Sequence, residues 1–217
     1  MKSVIFDLDG TLLNTLKDLT ISTNYALTQC NYPTHTIEEV RKMVGNGVGM
    51  LIHRALPSDV TEQEFDTCFN IFKEHYTQHC EDNTAPYPGI TQLLEQLYKL
   101  NIQIAIASNK LQSAVTKLAE QYFSPYVTIA LGDCKELKRK PEPDMLLKAM
   151  EYMKSTPNDT IYVGDSEVDL ATAKAAGLKC ISVLWGFRDK ELLIEHGANI
   201  FASTPEEIIS YLDNTKK

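Results

Sequence analysis

The chain has 217 residues, 43% of them hydrophobic, and its 21 basic against 29 acidic side chains leave a net charge of −8. That apolar content rules against disorder, and the acidic balance argues against phosphate-backbone binding as the main activity, which needs a basic face, so no nucleic-acid partner is expected. No run approaches the roughly 18 apolar residues of a membrane span, and the first apolar run is too short for a signal peptide, so a cytoplasmic protein without a membrane partner is expected.

Residues 3–6 (Ser-Val-Ile-Phe) predict a short buried strand that ends in two acids, Asp7 and Asp9, with only Leu8 between them. From about Thr15 to Ala85 nothing predicts a strand. Leu16, Leu19, Thr23, Ala26 and Leu27 recur at helical spacing. Thr36 with Glu39 and Thr61 with Glu64 have the spacing of capping boxes, the second opening a helix with Phe65, Cys68, Phe69, Phe72 and Tyr76 on one face. Between them "GNGVG" (45–49) breaks the pattern, and Met50 to Leu56 predicts a short helix stopped by Pro57. After the turn-rich "APYPG" (85–89) the pattern changes to alternating helices and apolar strands. Strands are predicted at 102–107, 127–131, 160–164 and 180–184, with helices between them and a last helix opened by Thr204, Pro205 and Glu207. Gly177 stands where a helix C-cap belongs.

Apolar rather than alternating strands, separated by helices, predict a parallel sheet covered on both faces. The expected architecture is therefore α/β: a Rossmann-like core of residues 1–14 and 85–217, interrupted by an all-helical cap at 15–84. Because the insert begins right after the two aspartates, it is expected to act as their lid. Five cysteines without paired spacing predict reduced thiols rather than a disulfide framework.

In an open parallel sheet, ligands sit beyond the carboxyl ends of the strands. Those ends carry Asp7 and Asp9; Ser108, Asn109 and Lys110; and Asp165, Ser166 and Asp169, with the basic "KRKPEPD" between two of the strands. Carboxylates gathered on one rim raise one another's pKa unless a cation shares their charge. Oxygen ligands without His or Cys suit Mg²⁺. A hydroxyl, backbone amides and a lysine beside that ion suit a phosphoryl group, and a carboxylate attacking phosphorus would give an aspartyl-phosphate. Lys110, Lys138 and Arg139 read as solvated side chains. Asp169 reads equally as an acid favoured at a helix start.

"DLDGTLLNT", "SNK", "KPEP" and "GDSEVD", in this order, resemble the four motifs of the haloacid-dehalogenase-like phosphatases. The resemblance implies that Asp7 is the nucleophile and Asp9 the general acid and base. It implies Mg²⁺ bound by the side chains of Asp7 and Asp165 and the backbone carbonyl of Asp9, with Asp169 in support. Ser108 and the amide of Asn109 would hold phosphate oxygens, Lys140 would stabilise the phosphate and Asp7, and Gly10 would permit the tight turn. One departure is Asn14, where many relatives carry an acid.

The stretch "VGNGVGMLIHRAL" (44–56) resembles the substrate loop of phosphoglycolate phosphatases, which implies that Gly45, Asn46 and Gly47 contact the substrate, with Arg54 or His53 available to meet a carboxylate. The expected partner is a small phosphate ester, with 2-phosphoglycolate the first candidate, acted on by a monomer or weak homodimer. Two other activities use the same scaffold, a sugar phosphomutase of the β-phosphoglucomutase kind and an inorganic pyrophosphatase. A non-enzymatic phospho-aspartate signalling module shares the clustered acids but lacks a helical lid.

Overall fold

The computed structural model describes residues 2–45 and 47–214 and divides into two compact units, Met1–Leu13 with Pro86–Lys217, and Asn14–Ala85. In chain order the elements begin with β1 (Ser3–Phe6) and the two-residue β2 (Leu13–Asn14). The helices α1 (Leu16–Gln29), α2 (Ile37–Met43), α3 (Val48–Ala55) and α4 (Glu62–His79) follow, and then β3 (Ala85–Pro86). The chain continues through α5 (Ile90–Lys99), β4 (Gln103–Leu111), α6 (Gln112–Phe123), β5 (Ile129–Asp133), α7 (Asp144–Met153), β6 (Thr160–Gly164) and α8 (Glu167–Ala175). It ends with β7 (Lys179–Val183), α9 (Lys190–Glu195), β8 (Phe201–Ala202) and α10 (Pro205–Asn214).

The larger unit is an α/β sandwich on a parallel six-stranded sheet of order β5-β4-β1-β6-β7-β8. Alternate strand residues serve opposite faces, as the period of two requires. Val4, Phe6, Ile104, Ile106, Ile161 and Val163 pack with residues of α5, α6 and α10, while Ile5, Ala105, Ala107 and Tyr162 pack with Met145, Leu146, Ala149 and Met150 of α7. The strand order turns back at β1: β4 and β5 extend the sheet on one side, β6 to β8 on the other. Such a reversal opens a crevice at the carboxyl end of β1.

The smaller unit is helical because its start signals are local. Both capping boxes form: Glu39 N–H donates to Thr36 Oγ1 and Glu64 N–H to Thr61 Oγ1, while each glutamate accepts the cap's N–H in return. Asp18, 2% exposed in the first turn of α1, accepts the backbone and side-chain N–H of Asn83 and the hydroxyl of Thr84. One buried acid thereby ties the beginning of this unit to its end.

Several boundaries differ from the sequence expectation. β4 runs on through Ser108, Asn109 and Lys110 to Leu111, with a register shift against β5 after Ala107. β5 begins at Ile129 rather than 127, because the Val127 N–H is spent on the Phe123 carbonyl in the turn after α6. α9 and β8 had no sequence signal; six and two residues are too few for a periodicity. Gly177 does take the left-handed conformation, φ +71°, just past α8. No cysteine is in a disulfide, but only Cys68 and Cys80 are fully buried. Among the described residues no helix is long and apolar enough to cross a membrane.

Phe123 is 0% exposed at the end of α6, inside the core shared with α5 and α10. Phe123→Ala is expected to cost about 3–5 kcal/mol of stability, read from the urea midpoint at constant slope; a loss within experimental scatter would show that this face can collapse around the void.

Candidate active site

Asp7 directly follows β1 and is 6% exposed; its N–H still donates to Val163 of β6, so the backbone leaves the sheet only after placing this side chain. One of its oxygens, Oδ1, accepts from Lys140 Nζ at 2.6 Å. The same ammonium donates to Asp169 Oδ1 at 2.8 Å and to Tyr162 Oη at 3.0 Å. Three hydrogens meet three acceptors, the full capacity of a lysine. Tyr162 Oη in turn donates to Asp169 Oδ1 at 2.7 Å. Lys140 reaches this position because Asn109 clips its main chain: Lys140 N–H donates to Asn109 Oδ1 and Asn109 Nδ2 donates to Lys140 O. Ser108, 2% exposed on β4, accepts from the N–H of Lys110.

Asp169 occupies the third position of α8 and also completes a capping box with Ser166, whose N–H and hydroxyl both donate to Oδ2. It is a helix-start acid and a site residue together. Burial pushes its carboxyl up, but Lys140 and the donors from Ser166 and Tyr162 outweigh it, so its pKa lies below the ordinary carboxylate range. Burial would likewise lower Lys140, yet Asp169 and Asp7 hold it above a free lysine's value. Asp7 goes the other way: burial and the nearby charges of Asp169 and Asp165 push it well up despite Lys140. Asp165, 2% exposed after β6, is raised from an ordinary 3.8 to about 7 by burial and by Asp169. Its Oδ2 accepts from the N–H of Phe187 at 2.7 Å.

The carboxylates crowded together are therefore Asp7, Asp165 and Asp169, whose ligand oxygens all lie within 4.8 Å of one another. Asp9 is not in this group, although its proximity in sequence suggested a shared charge with Asp7. Its partner is Lys110, whose Nζ lies 3.1 Å from Oδ1 and 3.4 Å from Oδ2. Lys110 was expected in solvent; instead it is 4% exposed. β4 continues through residue 110, its backbone packed so closely on Gly132 of β5 that a Cβ there would collide with the Lys110 carbonyl, and the buried ammonium meets Asp9 beyond the end of β1. Arg139 pairs with Asp133 and keeps an exposed side chain, as expected.

Gly10 has φ +90°, and a Cβ on it would run into the carboxylate of Asp165. Only glycine permits both the turn and that approach. The residues expected to read the substrate belong to the smaller unit. Gly45 and Gly47 flank the break between α2 and α3, with φ +119° and +84°, and Asn46 lies outside the described residues. Arg54, an exposed residue of α3, donates through Nη1 to the carbonyls of Met43 and Gly45. His53 sets its ring edge-on to Phe65. Asn14 Oδ1 accepts from the N–H of Leu16 at 3.4 Å, but the cap position of α1 is Thr15 and carries no side-chain cap hydrogen bond. Sequence reasoning missed Tyr162, hidden in an apolar strand, and Tyr87, whose phenol is pushed up by burial and then by the charges of Asp165 and Asp9. It also missed residues 184–188, which follow β7 without any polar signal except Arg188.

The donor set suits a hard divalent cation. It is buried, offers carboxylate oxygens alone, and includes two carboxyls whose ionisation the fold itself opposes. Both Asp169 oxygens are taken by protein donors, whereas Asp7 and Asp165 each keep one oxygen without a protein donor among the described residues. Asp7 and Asp165 would hold the ion; Asp169 orients Lys140.

Asp7 and Asp165 also set a pH dependence. A carboxyl raised in the folded state stabilises it fully below the ordinary pKa and loses that contribution as pH climbs through the raised value. For Asp165 the loss falls between an ordinary 3.8 and about 7. Asp169, lowered, acts oppositely, losing its contribution only as the pH falls below the ordinary range. Added Mg²⁺ is accordingly expected to raise the melting temperature more at about pH 8 than at about pH 5. Equal shifts in thermal melts at the two pH values would disconnect these carboxyls from the ion.

The geometry can be set beside known proteins. The family model described as haloacid dehalogenase-like hydrolase matches residues 4–183. A phosphoglycolate phosphatase of Pseudomonas putida is 32% identical over 96% of this chain and 76% of its own length. That of Aquifex aeolicus is 29% identical over 99% and 98%. Among solved structures, a protein of Lactobacillus delbrueckii subsp. bulgaricus superposes with a TM-score of 0.90 at 33% identity, covering 95% of this chain and 96% of that one. The matched span runs from β1 through β7 and so includes every strand end that carries a site residue, and on that footing the chain belongs to the haloacid dehalogenase-like hydrolases.

Proposed function

We propose that the protein is a Mg²⁺-dependent phosphatase that hydrolyses a small phosphomonoester, 2-phosphoglycolate foremost, through a phosphorylated Asp7. The observation that carries this reading is a buried Asp7 at the end of the central strand, gripped through one oxygen by Lys140 and with no protein donor on the other oxygen among the described residues. In the first half of the cycle an Asp7 oxygen attacks phosphorus, the ester P–O bond breaks, and the leaving oxygen takes a proton from Asp9. In the second half water attacks the phosphorus and yields its proton to Asp9; the bond to Asp7 breaks and phosphate departs. The Ser108 hydroxyl and the Asn109 amide donate to the phosphoryl oxygens, and Lys140 offsets the charge that develops on them. Bound Mg²⁺ would polarise the same oxygens as a Lewis acid. Lys110 holds Asp9 by both carboxylate oxygens and so fixes where its proton is delivered.

We assign residues 15–84 as the cap and the loop containing Gly45, Asn46 and Gly47 as its substrate-reading part. The grip of Arg54 on the Met43 and Gly45 carbonyls, which ties the end of α2 to α3, supports the assignment of Gly45 to that part. The choice of 2-phosphoglycolate is supported by the names of the curated relatives in Aquifex aeolicus and Pseudomonas putida.

The test is phosphate release from a panel containing 2-phosphoglycolate, hexose phosphates and pyrophosphate, with Mg²⁺ and with a chelator. Release should require the ion, and Asp7→Asn should lower it by about a thousandfold or more; undiminished turnover in that variant would sink the covalent mechanism. Isomerisation of a hexose 1-phosphate without phosphate release would identify a mutase instead, and preference for pyrophosphate a pyrophosphatase. Lys110→Met is expected to lower kcat by at least about tenfold with KM little changed, since it disturbs the group that moves protons rather than the phosphate contacts.

A further inference from the structure

Asp165 lies in a slot whose two walls are bare backbone. A Cβ on Gly10 would collide with its carboxylate from one side, and a Cβ on Gly186 would collide with its Cβ and Oδ2 and with the Gly10 carbonyl. The two glycines are needed for different reasons. Gly10 has a positive φ, whereas the backbone of Gly186 is one that any residue adopts, so at 186 only the close approach demands glycine. Its neighbours fasten the same loop to three parts of the site. Phe187 N–H donates to Asp165 Oδ2 at 2.7 Å, and Trp185 Nε1 donates to the Thr11 carbonyl at 3.0 Å, one residue past Gly10. Arg188 Nε donates to Glu167 Oε2 at 2.8 Å, in the first turn of α8.

We infer that residues 184–188 are the positioning element that sets the site's affinity for a divalent cation, with Gly186 as its contact on Asp165 and Trp185 as its anchor on the nucleophile's turn. The inference rests on Asp165 being a ligand, as in the proposed function. The physical reason is preorganisation. Phe187 engages Oδ2, the two glycine walls prevent the carboxylate from turning, and Oδ1 is left without a protein donor among the described residues. A ligand held in this way has no rotamers to give up when the ion arrives. A loop that merely filled space beside β7 would need neither a glycine without positive φ nor an indole hydrogen bond to a carbonyl of the opposite segment.

Binding of Mn²⁺, followed by loss of the free-ion electron paramagnetic resonance signal, tests this without turnover. Gly186→Ala is expected to weaken Mn²⁺ by roughly ten- to hundredfold while its far-ultraviolet circular dichroism stays that of the wild type. Trp185→Phe, which keeps a ring but removes the N–H, should weaken it by a smaller factor. Trp185 is the only tryptophan, so its fluorescence in the Gly186→Ala protein offers a second readout of the same titration. Wild-type affinity in Gly186→Ala overturns the inference, including the case in which that variant has lost stability alone. If Gly186→Ala does not fold, wild-type affinity in Trp185→Phe overturns it. Asp165→Asn separates the two readings. Undiminished Mn²⁺ binding there removes Asp165 as a ligand and with it the proposed cation site, whereas lost binding there beside wild-type affinity in the loop variants rejects only the role of the loop.

Discussion

The ammonium of Lys140 is the charge around which the site is arranged. It is 5% exposed, and an unpaired charge so far from water would be untenable, so every one of its hydrogens has an acceptor. Asp169 answers most of that demand, and the depressed pKa of its carboxyl records the exchange. Asp7 is the second acceptor, and it remains raised because burial and two neighbouring acids outweigh one shared lysine. The imbalance matters for chemistry. A carboxylate fully neutralised by its surroundings is a poor nucleophile and a poor ligand, whereas Asp7 keeps one oxygen without a protein donor among the described residues and a reason to accept a cation.

Lys140 can play this part only because a residue on another strand end holds its backbone. The two hydrogen bonds from Asn109 fix the loop before α7 against β4, and Tyr162 on β6 closes the far side with its hydroxyl. β1 lies between β4 and β6, so the strand that carries Asp7 has a partner for Lys140 on each flank. The reversal of strand order at β1 thus does more than open a crevice: it brings β1 and β6 within reach of the Lys140 side chain and β4 within reach of its main chain.

Close approach of backbone is the other recurring device. Gly10 and Gly186 leave no room for anything but Asp165, and a Cβ on Gly164 would collide with the side chain of Asp169. Of these two acids Asp165 is the one that burial makes costly to ionise, a state that a divalent ion would relieve, whereas Lys140 keeps Asp169 ionised. Lys110 and Asp9 form a second, separate ion pair on β4's side of the site, so the proposed nucleophile and the proposed proton carrier each have their own lysine. In the smaller unit Asp18 does comparable work for the fold, engaging three donors from Asn83 and Thr84.

What the sequence determined by itself is local. The apolar runs of β1 and β6 and the Thr–Glu pairs at 36/39 and 61/64 act within a few residues, through periodicity and hydrogen bonds across one helical turn. The acids at 7, 165 and 169 were legible for the same reason, since each follows a strand that announces itself. Tertiary structure alone decided which lysines are buried, because Lys110 and Lys138 look alike in the chain. The first is buried with its ammonium on Asp9, 101 residues away, whereas the second is exposed. It also separated Asp9 from Asp7, gave the Asn109 side chain a backbone to hold 31 residues on, and seated Gly186 against Asp165. Burial and pairing of charge depend on what the rest of the chain brings to a side chain, and no short window of residues contains that information.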